Sequence, residues 1–317
     1  MLDQLPPFIP VGFALTLGLL FGSFLNVVIH RVPREMSIAF PASHCPACGA
    51  PIRAFDNVPV FGWALLCGKA RCCGAPISAR YPIVEAIGGA AAVAIYFQKL
   101  AGRGLPLTTA FLLFALYLSL ALGLIALTFI DLEFMILPDS LTLGGLGVGL
   151  LSATVRPEVS VLDAALASGS GFLLIWLPFI WGYEKLRGRP GMGLGDAKLL
   201  ATSGAWFGWL GVFFVLFAAA IQGTLVALTL LLTRGGIEEP EAVRREREEL
   251  AALVEQAEGE ERRLLEEAIA LDPIGDEPDG SWARARIPFG PFLALAMLEA
   301  LLFHDELTLY FQELFLL

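Results

Sequence analysis

Charged residues are scarce in this sequence. Asp, Glu, Lys and Arg make up 16% of the 317 residues, whereas apolar residues make up 56%, which excludes an intrinsically disordered chain and an ordinary soluble globular protein. Five cysteines are too few for a disulfide-dense secreted scaffold. Acidic residues outnumber basic residues by 31 to 21, so nucleic-acid binding through a basic surface is excluded. The composition therefore predicts an all-α polytopic membrane protein.

Charge-poor apolar runs of membrane-spanning length recur along the chain. A bilayer core about 30 Å thick requires roughly 20 apolar residues in a helix. The longest run, 199–233, has no charged residue over 35 positions, which corresponds to about 52 Å of helix and is too long for one pass. A reversal within the Gly- and Trp-rich segment 204–211 divides it into two passes. The eight predicted spans come from the runs 9–30, 82–98, 108–130, 140–155, 161–183, 199–233 (two passes) and 287–303.

Basic residues indicate which side of the membrane faces the cytoplasm. With two passes through 199–233, one side receives 18 of the 21 Lys and Arg residues, whereas a single pass divides them almost evenly. The positive-inside rule therefore favours eight spans, with both termini outside the cytoplasm. The first basic residue, Arg31, follows the first apolar run, so this run is expected to remain as an anchor and not to be a cleaved signal peptide.

This topology divides the chain into five segments, and one of them, 234–286, has the composition of a soluble region. Between 241 and 270 the sequence is rich in Glu, Arg, Ala and Leu, and its apolar residues recur at helical spacing. This pattern predicts a solvated amphipathic helical hairpin. The alternative is a surface on which a partner protein docks. The segments are the first transmembrane helix (1–30), a cytoplasmic cysteine-rich loop (31–81), a transmembrane core (82–233), a charged cytoplasmic helical insertion (234–286), and the last transmembrane helix with its tail (287–317).

All five cysteines lie in the loop 31–81, which contains an internal repeat. The pentapeptide Cys-Gly-Ala-Pro-Ile begins at Cys48 and again at Cys73, at an offset of 25 residues. The two copies, 45–52 and 70–77, are called the first and second knuckle. Two such knuckles predict a zinc-ribbon-like loop with structural zinc, because zinc in structural sites is held tetrahedrally by thiolates. The alternative is free thiols or an occasional disulfide. The predicted ligands are Cys45, Cys48 and Cys73, with Cys72 or Cys67 as the fourth and His44 as a weaker candidate.

Two carboxylates stand at the cytoplasmic ends of apolar runs. Asp131 ends one run, and Asp196 precedes another, directly after Gly193 and Gly195. Ionisable residues at membrane depth indicate function, and two adjacent carboxylates that share a proton can activate water and protonate a leaving group, as in aspartic proteases. Because Gly193 and Gly195 have no Cβ atom, the backbone beside Asp196 can approach a substrate strand or a neighbouring helix closely.

Two further acidic residues have alternative interpretations. Asp139 follows Pro138 and is expected to be the N-cap of the fourth span. Glu85, near the start of the second span, is either functional or interfacial.

Several motifs, in order along the chain, resemble those of the bacterial type IV prepilin peptidases. Only the 234–286 insertion lies outside this resemblance, which implies a pilus or secretion assembly partner as the alternative role of that insertion. The motifs are 22–31 (GSFLNVVIHR), 56–59 (DNVP), 77–85 (ISARYPIVE), Asp131 with 137–139 (LPD), 193–196 (GLGD) and 287–292 (IPFGPF).

The resemblance implies a bifunctional enzyme of the bacterial inner membrane. Such an enzyme cleaves the basic leader of prepilins and pseudopilins on the cytoplasmic side and then N-methylates the new terminal residue with S-adenosylmethionine. By motif position, Asp131 and Asp196 match the catalytic aspartates, and Asp139 matches a supporting acidic position. The cysteine loop of the family is associated with zinc and methyl transfer; the family's remaining cysteine falls at Ala70 in this sequence.

Two alternatives to this function remain at the level of sequence. Because of Ala70, one is a protease of the same family without methyl transfer. The other is an ion- or proton-coupled transporter with intramembrane aspartates, which predicts matching halves and broken helices near the midplane. The two halves of the sequence do not match, and both aspartates lie at one face.

Overall fold

Helices make up the regular structure of this protein. The computed structural model describes residues 5–188, 190–234, 240–271 and 287–316. Within these ranges no strand forms, and the isolated bridges His44 to Pro51 and Lys69 to Pro76 are the β-type pairings. The predicted all-α class is confirmed. The helices are α1 (Phe8–Arg31), α2 (Phe61–Leu65), α3 (Arg80–Ile95), α4 (Leu107–Phe134), α5 (Asp139–Ser152), α6 (Val161–Ile175), α7 (Tyr183–Arg187), α8 (Leu194–Arg234), α9 (Glu241–Gln256), α10 (Gly259–Leu271), α11 (Gly290–Leu302) and α12 (His304–Leu316).

Several helices have the length and composition of membrane spans. Within the described residues, five helical segments are long and apolar enough to cross a bilayer, and α11 is a shorter apolar helix. The chain is therefore a multi-pass membrane protein, whereas the number of eight spans stays a prediction. The five segments are Phe8–Arg34, Arg80–Leu100, Leu107–Phe134, Val161–Arg187 and Leu194–Thr233.

The helix α8 is interrupted at Gly208. The backbone there has φ of 62° and ψ of −149°, a combination that is essentially restricted to glycine. A Cβ atom built on Gly211 would lie 2.6 Å from the carbonyl oxygen of Ser203, although eight residues of straight helix span about 12 Å. The chain therefore bends sharply inside the window 204–211, where the sequence predicts a reversal; two separate passes stay a prediction.

The chain divides into two units, Met1–Ala126 and Leu127–Leu317. In the first unit α1 packs against α3, and a Cβ on Gly18 would lie 2.5 Å from the carbonyl oxygen of Gly88. In the second unit α5, α6 and α11 pack against α8, and a Cβ on Gly204 would lie 2.6 Å from the backbone of Ala167. Close approach through small residues is typical of packing between membrane helices.

A buried arginine joins α5 to the first half of α8. Arg156 is 4% exposed and donates to Ser152 Oγ, to the Gly149 carbonyl and to the Ala205 carbonyl, each at 2.9 Å, and also to the Trp206 carbonyl. Two of these acceptors, the Ala205 and Trp206 carbonyls, lie shortly before the interruption of α8 at Gly208, where the last carbonyls of a helical segment need donors from outside it. Arg156 therefore supplies buried donors to carbonyls of both helices, although the Gly149 carbonyl also accepts from the Ala153 N–H and from Ser152 Oγ.

The charged insertion is helical where it is described. Helices α9 and α10 lie in the segment for which the sequence predicts a helical hairpin, and two residues separate them. The remainder of the predicted insertion, 235–239 and 272–286, lies outside the described residues.

Candidate active site and cysteine cluster

The two predicted catalytic aspartates lie in the second unit, at the ends of two helices. Asp131 is in the last turn of α4 and is 4% exposed, and Asp196 is in the first turn of α8 and is 9% exposed. The two carboxylates are close enough to interact electrostatically. The backbone N–H of Gly290 donates to Asp131, and that of Gly193 donates to Asp196. The structure thus brings together two buried carboxylates that backbone donors orient.

Small residues leave the room that this pair needs. A Cβ on Gly290 would lie 2.5 Å from Asp131 Oδ2, and a Cβ on Gly195 would lie 2.7 Å from Leu137 Cβ. Real Cβ atoms do not approach other heavy atoms this closely, so a side chain at either position requires the neighbour to move. Gly195 therefore allows the loop between α4 and α5 to pack against the start of α8. Gly290 allows α11 to bring its first N–H to Asp131.

Asp139 does not cap α5 as the sequence predicted. The N-cap position belongs to Pro138, and Asp139 lies in the first turn, where a carboxylate is still favoured by the helix dipole. Its Oδ1 atom lies 2.5 Å from the Nζ atom of Lys198, one helical half-turn after Asp196. Sequence reasoning missed Lys198. Its signal was a cation directly before an uncharged apolar run, which is costly unless it is paired.

Four of the five cysteines come together in the first unit. The sulfur atoms of Cys45, Cys48, Cys72 and Cys73 all lie within 4.8 Å of one another. Cys67 and His44 do not belong to this group, and His44 Nδ1 instead lies 3.1 Å from the Ala42 carbonyl. Of the two fourth ligands that the sequence left open, the structure therefore brings Cys72 to the other three. The cysteines are free thiols and form no disulfide.

The geometry of the cluster fits a tetrahedral metal. Zinc–sulfur bonds of about 2.3 Å place the sulfur atoms of a tetrahedron about 3.8 Å apart. The Sγ atoms of Cys45 and Cys73 are 3.7 Å apart, those of Cys72 and Cys73 are 3.9 Å apart, and those of Cys48 and Cys72 are 3.3 Å apart. Small adjustments of the side chains would therefore let all four bind one zinc ion.

The thiols of the cluster differ in pKa because their local hydrogen bonds differ. Backbone N–H groups of Ala47 and Cys48 lower the pKa of the Cys45 thiol to about 7. Hydrogen bonding to Cys48, together with burial, raises the pKa of Cys72 to about 12. A divalent cation favours the thiolate at every ligand, so such a cluster binds metal with release of protons.

An ion pair connects the second knuckle to the preceding turn. Arg71, next to Cys72, donates from Nε and from one terminal nitrogen to Asp56, at 2.8 to 3.0 Å. This contact lowers the pKa of the Asp56 carboxyl. The Arg71 guanidinium also lies 5.5 Å from the centre of the Phe55 ring. A paired and stacked arginine has little freedom to rotate, so it helps to hold the knuckle in place.

Glu85 is buried inside the first unit. It is 7% exposed, and its Oε2 atom accepts a hydrogen bond of 2.6 Å from the backbone N–H of Val60. The contact joins α3 to the cysteine loop. Val60 carries no ionisable group and was missed by sequence reasoning, because its importance depends on its backbone conformation.

Comparisons with known proteins cover both sites. Residues 16–99 match the family described as bacterial peptidase A24 N-terminal domain, and residues 118–228 match the type IV leader peptidase family. The first range includes the four clustered cysteines, and the second includes both aspartates. Among solved structures, none gives a significant match.

Similar curated proteins carry the name prepilin leader peptidase/N-methyltransferase. The one from Aeromonas hydrophila is 34% identical over 98% of this chain and 96% of its own length. The one from Myxococcus xanthus is 35% identical over 92% of this chain and 89% of its own length. The one from Klebsiella pneumoniae is 41% identical over 64% of this chain and 87% of its own length. This chain therefore belongs to the type IV leader peptidase family.

Proposed function

We propose that this protein removes the leader of type IV prepilins or type II secretion pseudopilins on the cytoplasmic side of the inner membrane and N-methylates the new N-terminal residue. Family membership supports both activities, since the related proteins are named for both a leader peptidase and an N-methyltransferase. The observation that carries the peptidase activity is the pair of buried aspartates, Asp131 and Asp196, with their backbone donors.

Peptide hydrolysis follows from a carboxylate pair that shares one proton. The ionised aspartate accepts a proton from water while the water oxygen attacks the scissile carbonyl carbon, and the protonated aspartate donates to the carbonyl oxygen. When the tetrahedral intermediate collapses, the carbon–nitrogen bond breaks and the leaving amine takes the proton that came from water. The aspartate that had donated to the carbonyl oxygen takes its proton back as the carbonyl forms again, so the pair returns to its starting state with one proton. The N–H groups of Gly290 and Gly193 hold the two carboxylates in position for these transfers. Asp139, paired with Lys198, has a supporting role.

The substrate can reach this pair from the membrane. A prepilin presents an apolar segment preceded by its leader, so the apolar segment can remain in lipid while the extended leader meets the aspartates. This arrangement requires the aspartates to lie at the cytoplasmic boundary, as the distribution of basic residues in the sequence predicts.

We assign methyl transfer to the first unit. The peptidase family match covers both aspartates, whereas a separate N-terminal domain contains the cysteine cluster. S-adenosylmethionine is the proposed methyl donor. Cys45, Cys48, Cys72 and Cys73 would hold a zinc ion whose contribution is structural, because four thiolates leave zinc no open position for substrate.

Neither the protease-only alternative nor the transporter is favoured, since the relatives' names include both activities.

The test is mass spectrometry of a prepilin incubated with the purified protein and S-adenosylmethionine. The wild-type protein is expected to remove the leader and to add one methyl group. Asp131→Asn and Asp196→Asn should each reduce cleavage by at least about 1,000-fold. Asp163→Asn, at an exposed aspartate in the first turn of α6, is the matched control and should cleave normally.

Each other outcome has a definite meaning. Cleavage without methylation would contradict the bifunctional activity and support the protease-only alternative. Normal cleavage by both aspartate variants would contradict their catalytic role.

A further inference from the structure

Val60 has an unusual backbone conformation. Its φ of 63° and ψ of −50° lie near the values of the classic γ-turn, which is rare and strained. The defining hydrogen bond is present, because the Phe61 N–H donates to the Pro59 carbonyl at 2.6 Å. A β-branched residue at positive φ is a genuine outlier. Such strain persists only where the surrounding structure holds it.

The contact that holds this turn is the carboxylate of Glu85. The bond from the Val60 N–H to Glu85 Oε2 is short, at 2.6 Å, and the glutamate is 7% exposed. A buried carboxylate that accepts from a backbone N–H makes one of the stronger hydrogen bonds in proteins. Glu85 is itself held where α1 and α3 pack closely, since a Cβ on Gly22 would lie 2.9 Å from Glu85 Cα.

The γ-turn leads directly to the second cysteine knuckle. Val60 precedes α2, and from this helix the Trp63 Nε1 atom donates to the Ile77 carbonyl at 2.9 Å. Ile77 in turn donates to the Gly68 carbonyl at 2.7 Å, which closes the segment that contains Cys72 and Cys73. A rotation of the backbone at Val60 would therefore move α2 and, with it, two of the four clustered sulfur atoms.

We propose that Glu85 is a positioning residue for methyl transfer: its buried carboxylate holds the Val60 γ-turn and thereby fixes the cysteine cluster against the α1 and α3 pair. This inference rests on the proposed function, in which the first unit carries out methyl transfer. Glu85 acts through the backbone of Val60 and contacts no reacting atom.

The test uses glycine to remove the strain. In Glu85→Ala, methylation should fall by about tenfold or more, whereas leader cleavage should stay within about twofold of wild type because both aspartates lie in the second unit. Val60→Gly should keep both activities, since glycine adopts positive φ without a clamp. The double variant Glu85→Ala/Val60→Gly should recover most of the methylation. Glu85→Gln, which keeps an acceptor, should retain more methylation than Glu85→Ala.

A matched control separates relief of strain from a general effect of glycine. Val58 lies in the same loop with an ordinary φ of −70°, so Glu85→Ala/Val58→Gly should recover no methylation. The measurements are kcat and KM for S-adenosylmethionine, zinc per chain, and hydrogen exchange of residues 59–78. Exchange should be faster in Glu85→Ala and return toward wild type in the double variant with Val60→Gly.

The contrary outcomes are distinct. Failure of Val60→Gly to rescue methylation in a folded, zinc-bound Glu85→Ala protein would overturn the positioning role and point to direct action of Glu85 in chemistry or binding. An equal loss of cleavage and methylation would also overturn it. If the wild-type protein does not methylate, the proposed function fails, and the exchange measurement still decides whether Glu85 holds the turn.

Discussion

Gly290 controls the surroundings of Asp131 because it lacks a side chain. Its N–H donates to the carboxylate, and a Cβ at this position would lie 2.5 Å from Asp131 Oδ2. Gly290→Ala should therefore shift Asp131 or α11 and reduce kcat for cleavage by about 10- to 100-fold. Gly144→Ala is the control, since a Cβ there meets nothing within 4 Å. Quantitative mass spectrometry of leader release measures both, and wild-type cleavage by Gly290→Ala would contradict the proposed geometry.

Cys72 takes the place that the knuckle repeat assigns to residue 70. Its sulfur lies 3.3 Å from Cys48 and 3.9 Å from Cys73, whereas Ala70 offers no ligand. Cys72→Ser should therefore lose most of the bound zinc, and Cys67→Ser, outside the cluster, should retain about one zinc ion per chain. Adding Ala70→Cys to Cys72→Ser should restore binding.

Metal analysis of the purified variants checks this prediction. Loss of zinc in Cys67→Ser with normal zinc in Cys72→Ser would reverse the assignment of the fourth ligand.

At the scale of elements, α5 and the first half of α8 are joined at both ends. Asp139 and Lys198 form an ion pair at one end, and Arg156 bonds the carbonyls of both segments at the other. The pair at the partly exposed end contributes little to stability, whereas loss of Arg156 would remove the buried donor to the Ala205 and Trp206 carbonyls. The relative position of the segments that begin with Asp139 and Asp196 therefore depends more on Arg156 than on this ion pair.

Replacement of Arg156 tests this dependence. Arg156→Met keeps an apolar chain of similar length but removes the donors, so it should lower the free energy of unfolding by about 2–4 kcal/mol. Arg103→Met, at an exposed arginine, should have a small effect. Thermal unfolding in detergent compares the two variants with wild type, and equal melting temperatures for all three proteins would refute the role of Arg156.

At the scale of the whole molecule, the predicted reversal near Gly208 would decide on which side of the membrane the two ends of the chain lie. Two passes between 199 and 233 put 18 of the 21 basic residues on one side, which the positive-inside rule assigns to the cytoplasm. Alkaline phosphatase, which is active only outside the cytoplasm, should be active when fused after Trp209 or after Leu317. The same enzyme should be inactive when fused after Arg187. An inactive fusion after Trp209 would indicate a single pass and contradict the eight-span topology.

The sequence by itself determined the class of fold and where chemistry could occur. Apolar runs predict helices in lipid because a backbone without water must satisfy its own hydrogen bonds, and the described residues form those helices. Carboxylates at the ends of such runs can be recognised in a sequence because a charge at membrane depth is costly. The cysteines can be recognised because their spacing repeats. The interruption of α8 within 204–211 could be predicted for the same reason, since length and glycine content are local properties.

Only the tertiary structure decided which of these residues meet. Cys67 and Cys72 are equivalent candidates in the sequence, and the path of the loop brings Cys72 to the cluster. Lys198 reaches Asp139, and Gly290 faces Asp131, across 59 and 159 residues of chain. The hydrogen bond from the Val60 N–H to Glu85 depends on a φ angle that valine rarely adopts. Contacts between distant residues and strained backbone come from the packing of the whole chain, and local composition does not encode them.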